Sequence, residues 1–247
     1  MMNKNEQTFL NRVSRALGRD TIPGNPDLFV SRPKGELDAL LAAAEREKDE
    51  QLDLLAILKG NAGPLNLHVH EVATAQDAGN GIAERVRTTE TEWGGKKRVT
   101  RHDTPLLESL GLDALLQQDA IPVDLASLNQ NEDESIGKAR LRQQAEGAYI
   151  GVTGADWCAV DCAAIAVLGG PGKARATSLV PSVHIAVLTL NQLVANLSEL
   201  YAKLESRETL PVSFNFISGP SKTADIEAQL VHGAHGPREM HLFVITG

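Results

Sequence analysis

An α/β fold, a mostly parallel sheet with flanking helices, is predicted for this 247-residue chain by three observations. From about residue 65 onward, short segments rich in β-branched residues alternate with helix-period segments of roughly 10–15 residues, the signature of βαβ units. Ala159–Leu168 and Val183–Leu190 are continuous apolar runs, as in strands buried on both faces. Hydrophobic residues make up 42% and charged residues 23%, enough apolar side chain for a packed core without disulfides or metal.

Phe9, Leu10, Val13, Ala16 and Leu17 recur at helical spacing and Gly18 stands where a helix would be capped. Residues 18–35 hold Pro23, Pro26 and Pro33 and read as an extended strap. Glu36–Lys59 has the composition of one helix, with a solvated face at the all-charged stretch Glu45–Glu50. Strands follow at Leu65–His70, Arg98–His102, Ala120–Asp124 and Ala148–Val152. Between them Ala75–Val86, Thr104–Leu116 and Asp133–Gln144 carry helical spacing. Beyond the two apolar runs, Asn191–Glu205 is helical, with Leu193, Leu197, Leu200 and Leu204 on one stripe, and Pro211–Ile217 and His241–Thr246 are strands. The predicted organisation is a helical extension and strap over 1–60 and an α/β domain over 61–247.

The formal charge of −8 disfavours nucleic acid and anionic membrane surfaces, both of which demand basic patches. No stretch approaches the roughly 20 apolar residues of a membrane helix, and no leader-like apolar run opens the chain, so a cytoplasmic location without membrane insertion is expected. Two cysteines are too few for a disulfide framework or a four-thiolate cluster, and Cys158 and Cys162 are expected as structural thiols. Neither a cofactor nor a metal is expected.

Gly169-Gly-Pro-Gly-Lys173 fails as a phosphate-binding P-loop, because Val167 and Ala174 occupy the positions of its first Gly and its Ser/Thr. Gly79-Asn-Gly81 fails as a dinucleotide fingerprint at Glu84. His232 and His235, with Asp225 and Glu227, form a conceivable but weak metal set beside glycines that suggest a turn. His184 lies inside an apolar run and reads as a core or sheet-end histidine.

Two loops keep their chemistry. Gly170, Gly172, Lys173, Arg175 and Ser178 follow a buried strand, where glycine amides and cationic side chains suit an anion. Ser218, Gly219, Ser221, Lys222, Thr223, Asp225 and Glu227 also follow a strand, and Ser221 or Thr223 could cap a short helix at Ala224–Glu227. The two loops are expected to meet at one rim of the sheet and form a pocket for a small anionic ligand.

Gly151-Val-Thr-Gly-Ala-Asp-Trp157, Arg175-Ala-Thr-Ser-Leu-Val-Pro181, the eleven-residue string Ile217–Glu227 and His235-Gly-Pro237 together resemble the lactate utilization protein C family, the LUD domain. Phe9–Gly18 is similar to the start of those proteins, so the resemblance spans nearly the whole chain. It implies the fold group of ribose-5-phosphate isomerase, glucosamine-6-phosphate deaminase and CoA transferases. It also implies work beside iron–sulfur partner subunits in oxidising L-lactate to pyruvate, in a member without a redox centre of its own. Where the family usually shows a Glu-Thr-Gly-Thr turn, this chain has Asp161, Cys162, Ala163 and Ala164, which makes Asp161 the candidate catalytic carboxylate. The alternative is a stand-alone enzyme acting on a phosphosugar or acyl-CoA-like substrate, and self-association is compatible with either.

Overall fold

The computed structural model describes residues 4–18, 32–224, 230–232 and 236–247. The chain divides into two compact units, 1–38 and 39–247. In the first, α1 (Lys4–Ala16) leaves Phe9, Val13 and Leu17 exposed. Helix α2 (Lys34–Ala43) crosses the division.

The single helix predicted over 36–59 is interrupted. α3 (Lys48–Ala62) begins anew at Glu47, which exchanges capping-box hydrogen bonds with Glu50. The break lets Arg46 reach Glu199 through two hydrogen bonds of 2.9 and 2.6 Å, so the charged run is not simply a solvated face. Leu54, Leu55 and Leu58 of α3 are core residues.

The larger sheet is six-stranded and entirely parallel. Its order is β1 (Leu67–Val72), β12 (Glu239–Ile245), β7 (Val183–Thr189), β4 (Ile150–Gly154), β2 (Val99–Arg101) and β3 (Val123–Leu125). One face packs Ile150, Val152, Ile185, Val187 and Phe243 against α4 (Ala75–Thr88), α5 (Pro105–Glu108) and α6 (Leu112–Gln117). The helix predicted over 104–116 is split into α5 and α6 because Gly111, at φ +64°, leaves the helical region between them. α7 (Glu134–Gly147) follows β3, its N-terminus capped by Asp133.

The other face packs Ala186, Leu188, Leu242 and Val244 against α3 and a second, four-stranded sheet. That sheet runs β8 (Leu193–Val194), β5 (Trp157–Ala159), β6 (Ala164–Leu168) and β9 (Phe214–Ile217). The apolar run predicted as one strand over 159–168 is therefore a hairpin that reverses at 160–163. Ala163 makes the reversal with φ +47°, and β5 and β6 pair antiparallel from Trp157–Ala166 to Ala159–Ala164. α9 (Leu197–Glu205) covers the outside of this sheet through Leu200. α8 (Ala176–Leu179) lies against β4 and β7. β10 (Lys222–Ala224) and β11 (Leu230–His232) form a separate antiparallel ribbon, so Ala224 is in a strand and not in the short helix expected there. No helix among the described residues is long and apolar enough to cross a membrane.

Candidate ligand site

The parallel register sets the floor of the site. Gly151 on β4 stands opposite both Thr100 on β2 and His184 on β7, so these positions share the face turned toward α8. A Cβ at 151 would lie 1.9 Å from the Thr177 carbonyl oxygen, so only glycine lets α8 settle this close to the sheet. Two residues further along the same face is Thr153, whose hydroxyl is 2.9 Å from His184 Nε2. His102, just beyond β2, donates from Nε2 to the Ala174 carbonyl at 3.3 Å.

His102 and His184 are both buried and neutral. Burial lowers the His102 pKa to about 4, helped by the nearby Lys173 charge, and lowers that of His184 to about 3, helped by His102. Nδ1 of each ring and the Thr104 hydroxyl are buried without a hydrogen-bond partner among the described residues. Three unsatisfied polar atoms beneath one loop are an unusual concentration for a folded interior.

The Gly-rich loop closes over this floor. Lys173 forms an ion pair of 2.8 Å with Asp156, whose other oxygen accepts the Leu168 amide at 2.9 Å. The ammonium expected to meet a ligand is thus engaged in tying the loop to the end of β4. Gly172 takes φ +71° with its α-carbon pressed against the Asp103 carbonyl, and Asp103 N–H donates back to Gly172 at 2.8 Å. Ser178 is buried and donates to the Arg175 carbonyl, a turn contact. Arg175 is exposed and forms no ion pair among the described residues.

Two clefts flank this loop and share Ala126, Leu141 and Ala174. One, of about 570 Å³, lies between α7 and α8 and is lined by Thr100, Arg175, Thr177 and Val180, with Lys138 and Arg142 on its α7 wall. The other, of about 520 Å³, is lined by Asp103, Ser127, Gly170 and Gly172. Gly170, Gly172 and Arg175 therefore do line open volume, as the sequence suggests.

The second loop is elsewhere. β6 and β9 pair antiparallel, Leu168 opposite Phe214 and Ile165 opposite Ile217, so the chain leaves the two strands at opposite ends of the pair. The 169–173 loop sits by Asp103, beyond the carboxyl end of β2. The Ser221 amide donates to Pro237, ahead of β12, and Gly219 at φ +85° abuts the Leu65 carbonyl, ahead of β1. The 169–173 turn and Gly219 lie at opposite ends of the strands, whereas the Leu179 carbonyl at the end of α8 and Ser221 both lie beside Gly236. Ser218 and Lys222 are exposed, and Thr223 is in β10. Asp225, Glu227 and His235 lie outside the described residues.

Asp161 is exposed in the β5–β6 turn, its amide donating to Ala195 at 3.2 Å and its carbonyl accepting from Asn61. It lines neither cleft beside the Gly170 loop. Cys158 is fully buried and Cys162 partly so, and both are free thiols. Burial raises the pKa of each, with the Asp161 charge adding to the effect. No group of three or more His, Cys, Asp or Glu among the described residues could hold a metal ion. His102, Thr104 and Asp156 were not legible as site residues from spacing alone. The only advance signal was the Thr153-Gly-Ala-Asp156 string, quoted as kinship and not as chemistry.

The fold and loop-covered cleft define an α/β protein of the LUD domain family, to which the chain belongs: residues 55–245 match that domain. Several similar curated proteins are named lactate utilization protein C. That of Halalkalibacterium halodurans is 31% identical over 240 residues, 96% of this chain and 95% of its own. That of Shouchella clausii is 29% identical over 248 residues, 99% of both chains. The Bacillus subtilis protein is 26% identical over 242 residues, covering 95% and 93%. A crystal structure of a DUF162 family protein from Deinococcus radiodurans shares the fold, with a TM-score of 0.51 at 20% identity over 79% of this chain and 98% of that one.

Proposed function

We propose that this chain is the component without a redox centre in an L-lactate oxidation system, working beside iron–sulfur partner proteins and holding a small anionic ligand under the Gly170–Arg175 loop. The observation that carries the ligand part is the position of Arg175, a guanidinium without an ion pair among the described residues, on the cleft beside Ala174. A guanidinium there offers a carboxylate two parallel hydrogen bonds. The opposite wall of that cleft adds Lys138 and Arg142, and its carboxylate Glu146 is already held by Arg142 at 2.8 Å. The lactate role is supported by similarity, over nearly the full length, to proteins named for lactate utilization.

Oxidising lactate to pyruvate removes two electrons and two protons, and in this reading the electrons pass to the iron–sulfur partners. Lactate is then consumed only when those partners are present. The purified chain, given lactate and an artificial electron acceptor, is expected to show no turnover, and turnover by the chain alone overturns the proposal.

A second reading rests on size. A cleft of about 570 Å³ falls within the range that encloses drug-sized ligands, more than a three-carbon acid fills. That supports a phosphosugar or acyl-CoA-like substrate for a stand-alone enzyme. Thermal-shift screening against both classes separates the readings, since a ligand at 100 times its Kd stabilises the fold by roughly 2.7 kcal/mol.

A further inference from the structure

We infer that two copies of this chain associate through β9, pairing antiparallel about a two-fold axis at Asn215. Three observations lead there. In the four-stranded sheet β9 hydrogen-bonds to β6 alone among the described residues, so it is an edge strand of that sheet with one side of its backbone turned outward. Its side chains Phe214 and Phe216 are 44% and 36% exposed, on the face where α9 packs its Leu200 over β5, β6 and β8. Tyr201 of α9 meets Phe216 edge-on at 5.7 Å, and Leu210 and Val212 extend the same apolar surface.

Natural edge strands are normally guarded by charge, proline or a bulge. Here residues 209–221 carry no charged side chain in a molecule of net charge −8. A second copy therefore meets repulsion over most approaches and least at this strip.

The occupant is identified as another β9 by the strand's symmetry. Phe214-Asn215-Phe216 reads the same in both directions. With the two-fold axis through Asn215 and perpendicular to the sheet, Phe214 of each chain stands opposite Phe216 of the other, on the same face. Opposed aromatic pairs of this kind are favourable in antiparallel strands, by roughly 0.2–1 kcal/mol each. The two four-stranded sheets become one of eight, and neither β9 is left as an edge.

The register gives a specific test. Opposed Cα atoms in an antiparallel pair are about 4.5–5.5 Å apart, within disulfide range. Asn215→Cys, in a Cys162→Ser background, should form a covalent homodimer under mild oxidation. Val212→Cys, which is far more exposed, should not, because its two copies lie about 20 Å apart along the strands. Light scattering of the unmodified chain should give a dimer mass, and Phe216→Asp should give a monomer with unchanged circular dichroism. A monomer at every concentration, a dimer that survives Phe216→Asp, or cross-linking of Val212→Cys as fast as Asn215→Cys overturns the inference. If Phe216→Asp fails to fold, the cross-linking comparison decides alone.

Discussion

His70 Nε2 stands 3.0 Å from His241 Nδ1 across the paired strands β1 and β12, and the proton between them belongs to His70. The assignment follows from the far side of the second ring. His241 Nε2 is 2.7 Å from Glu239, a carboxylate that only accepts, so that nitrogen carries the hydrogen and leaves Nδ1 bare. His241 is fully buried and stacked on His68, and burial holds its pKa at about 4, with Arg85 and His70 pushing the same way against Glu239.

Three buried neutral histidines make acid stability the first prediction. His102 and His241 titrate at about 4 and His184 at about 3 in the fold, against about 6.5 when unfolded. Between those limits the unfolded chain binds more protons, so stability is complete above pH 6.5 and declines as pH falls toward 4. Urea unfolding at pH 5.0 should give a free energy lower than at pH 7.5 by about 2 kcal/mol per histidine. His241→Phe should make the slope shallower; an unchanged slope would place the proton uptake elsewhere.

Asp156 should matter more to the loop than Lys173 does. Asp156→Ala removes the ion pair and also strips the Leu168 amide of its acceptor, at a cost of about 2–3 kcal/mol. Lys173→Met leaves Asp156 its amide contact and should cost about half as much. Equilibrium unfolding of the two variants checks the order.

Glycines of one motif-rich region should differ sharply. Gly151→Ala places a methyl group against the Thr177 backbone and must push α8 off the sheet, costing about 1–3 kcal/mol. Gly170→Ala meets open space and should stay within about 0.5 kcal/mol of the parent. Thermal melts of both variants test whether α8 is seated as described.

The layered α/β arrangement was legible because strands buried on both faces read as unbroken apolar runs and their helices keep a 3.6-residue period. What was not legible depended on single residues. The 159–168 run hid a reversal, since Ala163 adopts a left-handed turn that its type does not advertise. The 36–59 helix hid a break because Arg46 finds its carboxylate 153 residues away. The site suffered most from this. Spacing brought out the Gly170–Ser178 loop but gave no sign that His102 and His184, 82 residues apart, share one face of the sheet on either side of β4. Nor could it show that the chain leaves β9 at the opposite end of the strand pair from Gly169, which is set by the antiparallel pairing of β6 with β9.

Arg175 separates binding from stability more cleanly than any other residue of the site. Its guanidinium is exposed and unpaired among the described residues, so Arg175→Ala should change unfolding free energy by less than about 0.5 kcal/mol. If it is the group that meets the anion, losing a charge-assisted hydrogen bond worth about 1.5–3 kcal/mol should weaken carboxylate or phosphate binding at least about ten-fold. Arg175→Lys should recover only part of that loss, because an ammonium supplies the charge without the two-pronged geometry. Calorimetric titration of the three proteins with lactate, pyruvate and inorganic phosphate measures this directly. Equal affinities across the series would move the ligand away from Arg175, most plainly to the facing wall of the cleft formed by Lys138 and Arg142, whose own carboxylate partners Glu134 and Glu146 would then have to give way.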